Sequence, residues 1–316
     1  EQYEHRLALA LQERGWEVKV FAGTPEREGE DNGGIKAERF DESEGLARRT
    51  WCNFFRKGEV QALREIGQHY AFNEAAIHWV KEENFDLVLV GTVYGAVRQL
   101  EARELYLQIK SLGICVGALQ YDLSEEISNA LVKAYRGLGG SWEDAAGRVL
   151  RQLRRTVQKE GELAGLYAIG SSLFFRPDFV LTCPEWVAQF LAPCGGTPVK
   201  TLHPLLDPAY WSEVPEPVDP LARRTILMVN PQGRKNPQAM AEVMAHGSPE
   251  WTFRMLEGGW GDGFAKFESR LARMEDLAPR RVEKISYVRD IRAAYAATEL
   301  VFFPSFLEGY GMTAVE

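Results

Sequence analysis

The sequence predicts an α/β fold with two doubly wound parallel sheets, each in a domain of its own. Short apolar runs of strand length alternate with amphipathic helical stretches, a pattern typical of parallel sheets covered by helices. The chain has 316 residues, more than one ordinary open-sheet core takes up. A segment with four prolines, 207–224, interrupts the alternation once. These observations predict an N-terminal domain at 1–206, a linker at 207–224 and a C-terminal domain at 225–316.

The elements of the first domain follow from apolar periodicity. Gly15 is well placed to cap the first helix, and the polar, glycine-rich residues 24–34 predict a loop. A long stretch between two strands, 124–176, is predicted to be mostly helical. The other predicted elements are helices at 3–14, 59–82, 97–112 and 185–191 and strands at 16–22, 86–91, 114–119, 178–183 and 199–203.

The linker and the second domain follow in the same way. The prolines of 207–224 predict a segment without helix or central strand. Beyond it we expect strands at 225–229, 251–256 and 282–286, helices at 237–246 and 289–297, and a final apolar run at 300–303. Residue 1 already lies in a helical pattern and Glu316 in the first turn of a helix, so we expect a chain truncated at both ends.

The segment 303–316, FPSFLEGYGMTAVE, is the most informative part of the sequence. An apolar run breaks through a glycine turn into a helix, and such a turn points free backbone N–H groups at whatever lies above it. The N–H groups of Gly309, Tyr310 and Gly311 predict a diphosphate site. Glu308 and Glu316, with seven residues between them, would bracket the same site as acceptors for hydroxyl groups.

A second loop carries cations. The strand at 225–229 runs into NPQGRKNP and then a helix, so Arg234 and Lys235 would lie near the glycine turn. Fixed cations there would stabilise the charge that develops on a departing diphosphate. A solvated basic turn is the alternative, which the neighbouring glutamates make less favoured.

These motifs resemble those of retaining GT-B glycosyltransferases of the GT4 type. EGYG within Glu-x7-Glu is similar to their donor motif, Lys235-Asn236 matches their lysine, and EHRLALALQERGWEVKVFAG resembles an early helix and strand of their N-terminal domain. The resemblance implies two Rossmann-like domains facing a cleft, a nucleotide diphosphate sugar as donor, a hydroxyl acceptor and no divalent metal. It also implies that Glu316 binds the ribose and Glu308 a hydroxyl of the donor sugar.

The acceptor side is expected in the first domain, after the strand at 114–119. Many relatives carry a His-Asp pair at this point, where this chain has Tyr121-Asp122. Asp122 is therefore a candidate reaction-site residue, whereas Tyr121 is more typical of packing. No nucleophilic carboxylate is evident here, which favours front-face displacement with catalysis by positioning and phosphate electrostatics.

The amino-acid composition argues against some classes of protein. A net charge of −8 and a pI near 5.4 argue against electrostatic binding of nucleic acid by the chain as a whole. The four cysteines lack CxxC spacing, and Cys115 and Cys183 lie in apolar runs as small hydrophobes, so we expect a reduced, cytoplasmic, metal-free protein. The basic helix 148–159 has two interpretations. In the first it contacts an anionic membrane or a phosphorylated acceptor. In the second, which is favoured, its basic face is simply solvated.

Two alternatives remain open. Another GT-B enzyme acting on a nucleotide sugar, such as an epimerase, would need acid–base residues near the sugar, and the first half shows no clear set. A truncated or degenerate nucleotide-sugar-binding module without turnover is the other. Measurements of donor hydrolysis and of sugar transfer to an acceptor distinguish such a binding module from an enzyme.

Overall fold

The protein is described here by a computed structural model, in which the chain folds as two compact units. The first unit is Glu1–Leu205 and the second is Leu206–Glu316. Each contains a parallel sheet with helices, so the predicted α/β class is confirmed. The structure describes residues 2–22, 36–39, 73–91, 96–120, 123, 125–138, 141–161, 172–206, 208–212, 224–231, 235–257, 281–286, 288, 290–305, 308 and 311–315.

The first unit contains a four-stranded parallel sheet in the order β3-β4-β5-β6 and a separate parallel pair, β1-β2. Strand β2 was not predicted from the sequence. In chain order the elements are α1 Gln2–Glu13, β1 Lys19–Ala22, β2 Lys36–Arg39, α2 73–83, β3 Leu87–Val90, α3 Ala96–Ser111, β4 Cys115–Gln120, α4 Glu125–Gly137, α5 Trp142–Glu160, β5 Phe179–Thr182, α6 Glu185–Leu191 and β6 Val199–Thr201.

Local signals explain where these helices begin and end. Gly15 has a φ of +86°, and its N–H donates to Gln12 O at 2.8 Å while the N–H of Trp16 donates to Leu11 O at 3.1 Å. This pair of bonds is the Schellman cap, so the predicted role of Gly15 is confirmed. Helix α5 begins after Ser141, whose hydroxyl accepts from the N–H of Asp144 at 3.2 Å.

The core of the first unit lies around β4. Tyr106 is fully buried, stacks on Phe175 with ring centres 5.0 Å apart, and donates to Val90 O at 3.3 Å; burial raises the pKa of its phenol. The Cys183 thiol is buried as expected, but Cys115 is exposed at the start of β4, so its interpretation as a small core hydrophobe is wrong.

The basic helix α5 exposes Arg148, Arg151 and Arg155, while Val149 and Leu153 are buried. Either interpretation of its basic face requires such exposure. Within the described ranges no helix has the length and apolar character that crossing a bilayer demands.

The second unit contains a parallel sheet in the order β10-β7-β8-β9. The chain steps from β7 outward through β8 to β9 and then returns to the other side of β7 as β10. The sheet packs on a core that includes Met240, Met244, Phe253 and Met255. In chain order the elements are α7 Pro208–Ser212, β7 Thr225–Val229, α8 Pro237–His246, β8 Thr252–Leu256, β9 Arg281–Ile285, α9 Arg292–Ala296, β10 Leu300–Val301 and α10 Met312–Val315.

Helix α7 departs from the sequence expectation, which excluded helix from 207–224. Pro208 is its first residue, where the missing N–H costs no hydrogen bond, and the next proline follows only at 215. Aromatic contacts hold α7 to the second unit: Trp211 stacks on Tyr295 with ring centres 6.2 Å apart.

Arg292 ties α7 to α9. Its guanidinium lies 3.9 Å from the centre of the Tyr210 ring, and Nη1 donates to Tyr210 O at 2.6 Å. Asp290 accepts from Arg292 Nη2 at 2.8 Å and from the Tyr210 hydroxyl at 2.8 Å. The Arg292 side chain, and then the Tyr210 hydroxyl, hold the pKa of Asp290 well below its usual range.

Candidate functional site

The strand order of the second unit marks the edge where a ligand crevice is expected. Strands β7 and β10 are neighbours, although the chain first runs from β7 outward through β8 and β9, so the strand order reverses beside β7 and this is a topological switch point. Leu300 pairs with Ile226 and Val301 with Leu227. Because the strands are parallel, the loops that follow them emerge at the same edge of the sheet.

The loop after β7 positions Lys235. Asn230 has a φ of +52°, and its N–H donates to Leu256 O at 2.8 Å, which anchors the loop to the end of β8. Asn236 has a φ of +54° and directly precedes Pro237, the first residue of α8. Asparagine tolerates this left-handed conformation better than most residues. Lys235 therefore lies one residue before the turn into the helix.

Lys235 and Glu308 form an ion pair at this edge. Lys235 Nζ lies 2.5 Å from Glu308 Oε1, although the two residues are 73 positions apart in sequence. Their side chains are only 15% and 20% exposed, respectively. Salt screens such a mostly enclosed pair less than it would screen an exposed pair. The structure thus joins the two loops that emerge from β7 and β10 through opposite charges.

The ring of Phe303 contacts the Lys235–Glu308 pair on the lysine side. The centre of its ring lies 5.2 Å from Lys235 Nζ, within the range of a cation–π contact. Phe303 is not recognisable as a site residue from the sequence, because it forms the end of an apolar run. A detectable signal is its position, two residues after β10 at the edge where ligands bind.

Gly311 closes the turn before α10. It is buried, has a φ of +77°, and accepts from the N–H of Ala314 at 2.8 Å. A Cβ added to it would lie 3.6 Å from the Phe303 ring and 4.0 Å from Glu308 Cβ. Glycine suits this position because the left-handed backbone strains any other residue except, more mildly, asparagine or aspartate.

Of the residues predicted to form the donor site, the structure brings together Lys235, Glu308 and Gly311 at one edge of the second sheet. Their contacts are established, whereas their roles in binding stay predictions. The other predicted site residues lie outside the described residues: Asp122, Arg234, Gly309, Tyr310 and Glu316.

Comparisons with known proteins place the fold. No protein-family model matches the chain, and no curated protein matches its sequence. The structure of OtsA in its apo form is similar, with a TM-score of 0.51 at 8% identity, over 96% of this chain and 75% of that chain. HepE from Anabaena, solved with UDP and glucose, gives a TM-score of 0.48 at 15% identity, over 89% of this chain and 64% of that chain.

The lipopolysaccharide outer core galactosyltransferase WaaB gives a TM-score of 0.43 at 13% identity. The alignment covers 89% of this chain, which spans 62% of the length of WaaB. At 8% identity the likeness to OtsA speaks for the fold alone. The two parallel-sheet units and the similarity to OtsA over nearly the whole chain show that the protein has a GT-B fold.

Proposed function

We propose that the protein is a glycosyltransferase that moves a sugar from a nucleotide diphosphate sugar to a hydroxyl acceptor. The observation that carries this proposal is the Lys235–Glu308 pair at the switch point between β7 and β10. A cation and a hydroxyl-accepting carboxylate, side by side at the ligand edge of a parallel sheet, suit a ligand that carries both phosphate and sugar.

Each site residue has a proposed role. Lys235, assisted by Arg234, neutralises the diphosphate as the glycosidic bond breaks, when its negative charge grows. Glu308 accepts a hydrogen bond from a hydroxyl of the donor sugar. The N–H groups of the glycine turn, Gly309, Tyr310 and Gly311, bind phosphate oxygens, and Glu316 binds the ribose hydroxyls. Asp122 is the candidate on the acceptor side.

We further propose that transfer retains the anomeric configuration and proceeds without a divalent metal, as the GT4-like motifs imply. In that mechanism the acceptor oxygen attacks the face from which the nucleotide diphosphate departs. Positioning of the two substrates and stabilisation of the leaving group then supply most of the catalysis. Proton NMR of the first-formed product tests retention, and activity in EDTA tests metal independence.

A reducing compartment such as the cytoplasm suits this chain. Cys183 and Cys194 are free thiols. Burial raises the pKa of the Cys194 thiol to about 11, against a smaller opposing effect of Arg154. Free thiols, the exposed Cys115 among them, persist in a reducing compartment, where disulfides are rare.

Titration with UDP, GDP and ADP and with their glucose conjugates tests the proposal, with thermal shift and calorimetry as readouts. We expect the nucleoside diphosphate of one base to raise the unfolding temperature. The glucose conjugate of that nucleoside diphosphate should be hydrolysed slowly, or its glucose should be transferred to added saccharides. Lys235→Met should reduce the shift, and Lys284→Met, on β9 of the same unit, should keep it. Absence of binding by all six ligands would refute the proposal; binding without turnover would indicate a binding module instead.

A further inference from the structure

Lys235 already has an anionic partner in the structure. Its ammonium contacts the Glu308 carboxylate at 2.5 Å, in a position where both side chains are mostly enclosed. A diphosphate that binds Lys235 must therefore approach a carboxylate of its own sign. Like charges brought together at short range, with little water to screen them, oppose binding.

We propose that Glu308 acts as an internal anion that competes with the diphosphate for Lys235, and so makes the site select nucleotide sugars over free nucleoside diphosphates. This inference rests on the proposed function and extends it from binding to selectivity. Glu308 is then a specificity-determining residue whose effect has opposite signs for the two ligands.

The opposite signs follow from what each ligand offers Glu308. Apart from its base and its ribose, for which Glu316 is the proposed partner, a free nucleoside diphosphate offers only negatively charged phosphate oxygens. Its arrival therefore weakens the Lys235–Glu308 pair without supplying a hydrogen-bond donor to the carboxylate. A nucleotide sugar also brings hydroxyl groups, which donate hydrogen bonds to the carboxylate. The sugar thereby offsets the loss that the diphosphate causes.

Phe303 keeps the ammonium available for this exchange. Its ring lies 5.2 Å from Lys235 Nζ and provides a neutral contact that neither ligand competes for. Lys235 can therefore change its anionic partner without leaving the site. After transfer removes the sugar, Glu308 again competes for Lys235, which promotes release of the nucleoside diphosphate product.

Glu308→Gln tests the inference because it removes the charge while keeping the length of the side chain and one carbonyl acceptor. With whichever of UDP, GDP or ADP binds the wild type, we expect the variant to bind that nucleoside diphosphate about five to ten times more tightly, a gain of about 1.0–1.4 kcal/mol. Its affinity for the matching sugar conjugate should fall, because the neutral amide accepts a hydrogen bond from a sugar hydroxyl more weakly than the carboxylate does.

Two further variants separate charge from loss of contact. Glu308→Asp keeps the charge but shortens the side chain, so it should bind the nucleoside diphosphate no more tightly than the wild type does. Glu283→Gln breaks another ion pair of the same sheet, in which Arg254 Nε donates to Glu283 Oε2 at 2.8 Å, and should change neither affinity. Circular dichroism verifies that each variant is folded.

The outcomes are distinguishable. Unchanged or weaker nucleoside diphosphate binding by folded Glu308→Gln, with binding by the wild type intact, overturns the inference and leaves the proposed function standing. If Glu308→Gln does not fold, tighter nucleoside diphosphate binding by Glu308→Asp than by the wild type overturns it instead. No binding of any nucleotide by the wild type or Glu308→Gln overturns both.

Discussion

Lys235 Nζ lies 5.2 Å from the centre of the Phe303 ring, so the cation of the candidate site rests on an aromatic side chain that follows β10. The two residues come from different loops of the second unit. Phe303 therefore links the position of Lys235 to the strand at the switch point, and a Cβ added to Gly311 would lie 3.6 Å from the same ring.

Phe303→Leu should weaken binding of the nucleoside diphosphate about two- to fivefold, because a cation–π contact at a partly exposed site contributes about 0.5–1 kcal/mol. Phe303→Tyr keeps the aromatic face and should restore the affinity. Phe302→Leu is the matched control, since Phe302 packs against the methionine-rich core instead. It should lower the unfolding temperature while ligand affinity measured by calorimetry stays unchanged. Equal losses of affinity in the Phe302 and Phe303 variants would contradict the role of the ring.

Lys235→Met should reduce affinity for the nucleoside diphosphate at least tenfold, since a hydrogen bond to a charged group contributes about 1.5–3 kcal/mol. The remaining affinity should also depend less on salt concentration than that of the wild type. Calorimetry at two ionic strengths measures both effects. A variant whose affinity and salt dependence match the wild type would exclude Lys235 from the phosphate site.

Gly311→Ala should destabilise the protein by about 1–2 kcal/mol, because its φ of +77° strains a residue with a Cβ. Gly15→Ala is the matched control: its φ is +86°, and an added Cβ has no neighbour within 4 Å. Urea unfolding should show similar losses of stability in both variants, whereas only Gly311→Ala should also weaken ligand binding. A Gly311→Ala variant with full affinity would separate this turn from the site.

Asp290 predicts a specific pH dependence of stability. Arg292 and Tyr210 lower its pKa from the usual 3.8, so its contribution is fully present above about pH 5 and is lost as the pH falls toward the folded-state pKa. The difference in unfolding temperature between wild type and Asp290→Asn should be constant from about pH 5 to 8 and should shrink below about pH 4. Because the Asp290 side chain is 50% exposed, we expect a small effect. A difference that grows in acid would have the wrong sign.

Gly117→Ala should destabilise the first unit by about 1–3 kcal/mol, since a Cβ there would lie 2.5 Å from Phe179 Cζ and 2.6 Å from Leu89 Cδ2. Gly147→Ala should instead raise stability by about 0.5–1 kcal/mol, because Gly147 lies within α5 and an added Cβ meets only the end of the Arg151 side chain. Thermal unfolding of the two variants compares them directly. Loss of stability in both would contradict this account of the packing.

Helices and strands were predictable where residues in the sequence mark their beginning and end. Helices Glu185–Leu191 and Pro237–His246 and strand Thr225–Val229 have the predicted bounds, since proline precedes or begins each helix and an unbroken apolar run forms the strand. Strand Lys36–Arg39 was missed because three of its four residues are charged and Ala37 alone is apolar, so the strand depends on its pairing with β1. Helix α9 begins at Arg292 rather than 289, where the Asp290 carboxylate accepts from the N–H of Arg292.

The candidate site was predictable only in part, for a different reason. Residue types and spacing predicted that Lys235, Glu308 and Gly311 surround one ligand, and their binding roles stay predictions. No local signal states that Lys235 and Glu308 contact each other. That contact depends on β10 returning beside β7, a pairing between distant segments of the chain. The contact between the Phe303 ring and Lys235 depends on the same pairing. This explains why Phe303 was interpreted only as the end of an apolar run.

Helix α7 has a practical consequence for dividing the chain. Because Tyr210 supplies a ring, a hydroxyl and a carbonyl oxygen to Arg292 and Asp290, a fragment of the second unit that begins at Thr225 would lose these partners. A fragment that begins at Leu206 retains them. Expression of the second unit on its own should therefore start ahead of the proline-rich segment, so that Arg292 keeps the partners that cover it.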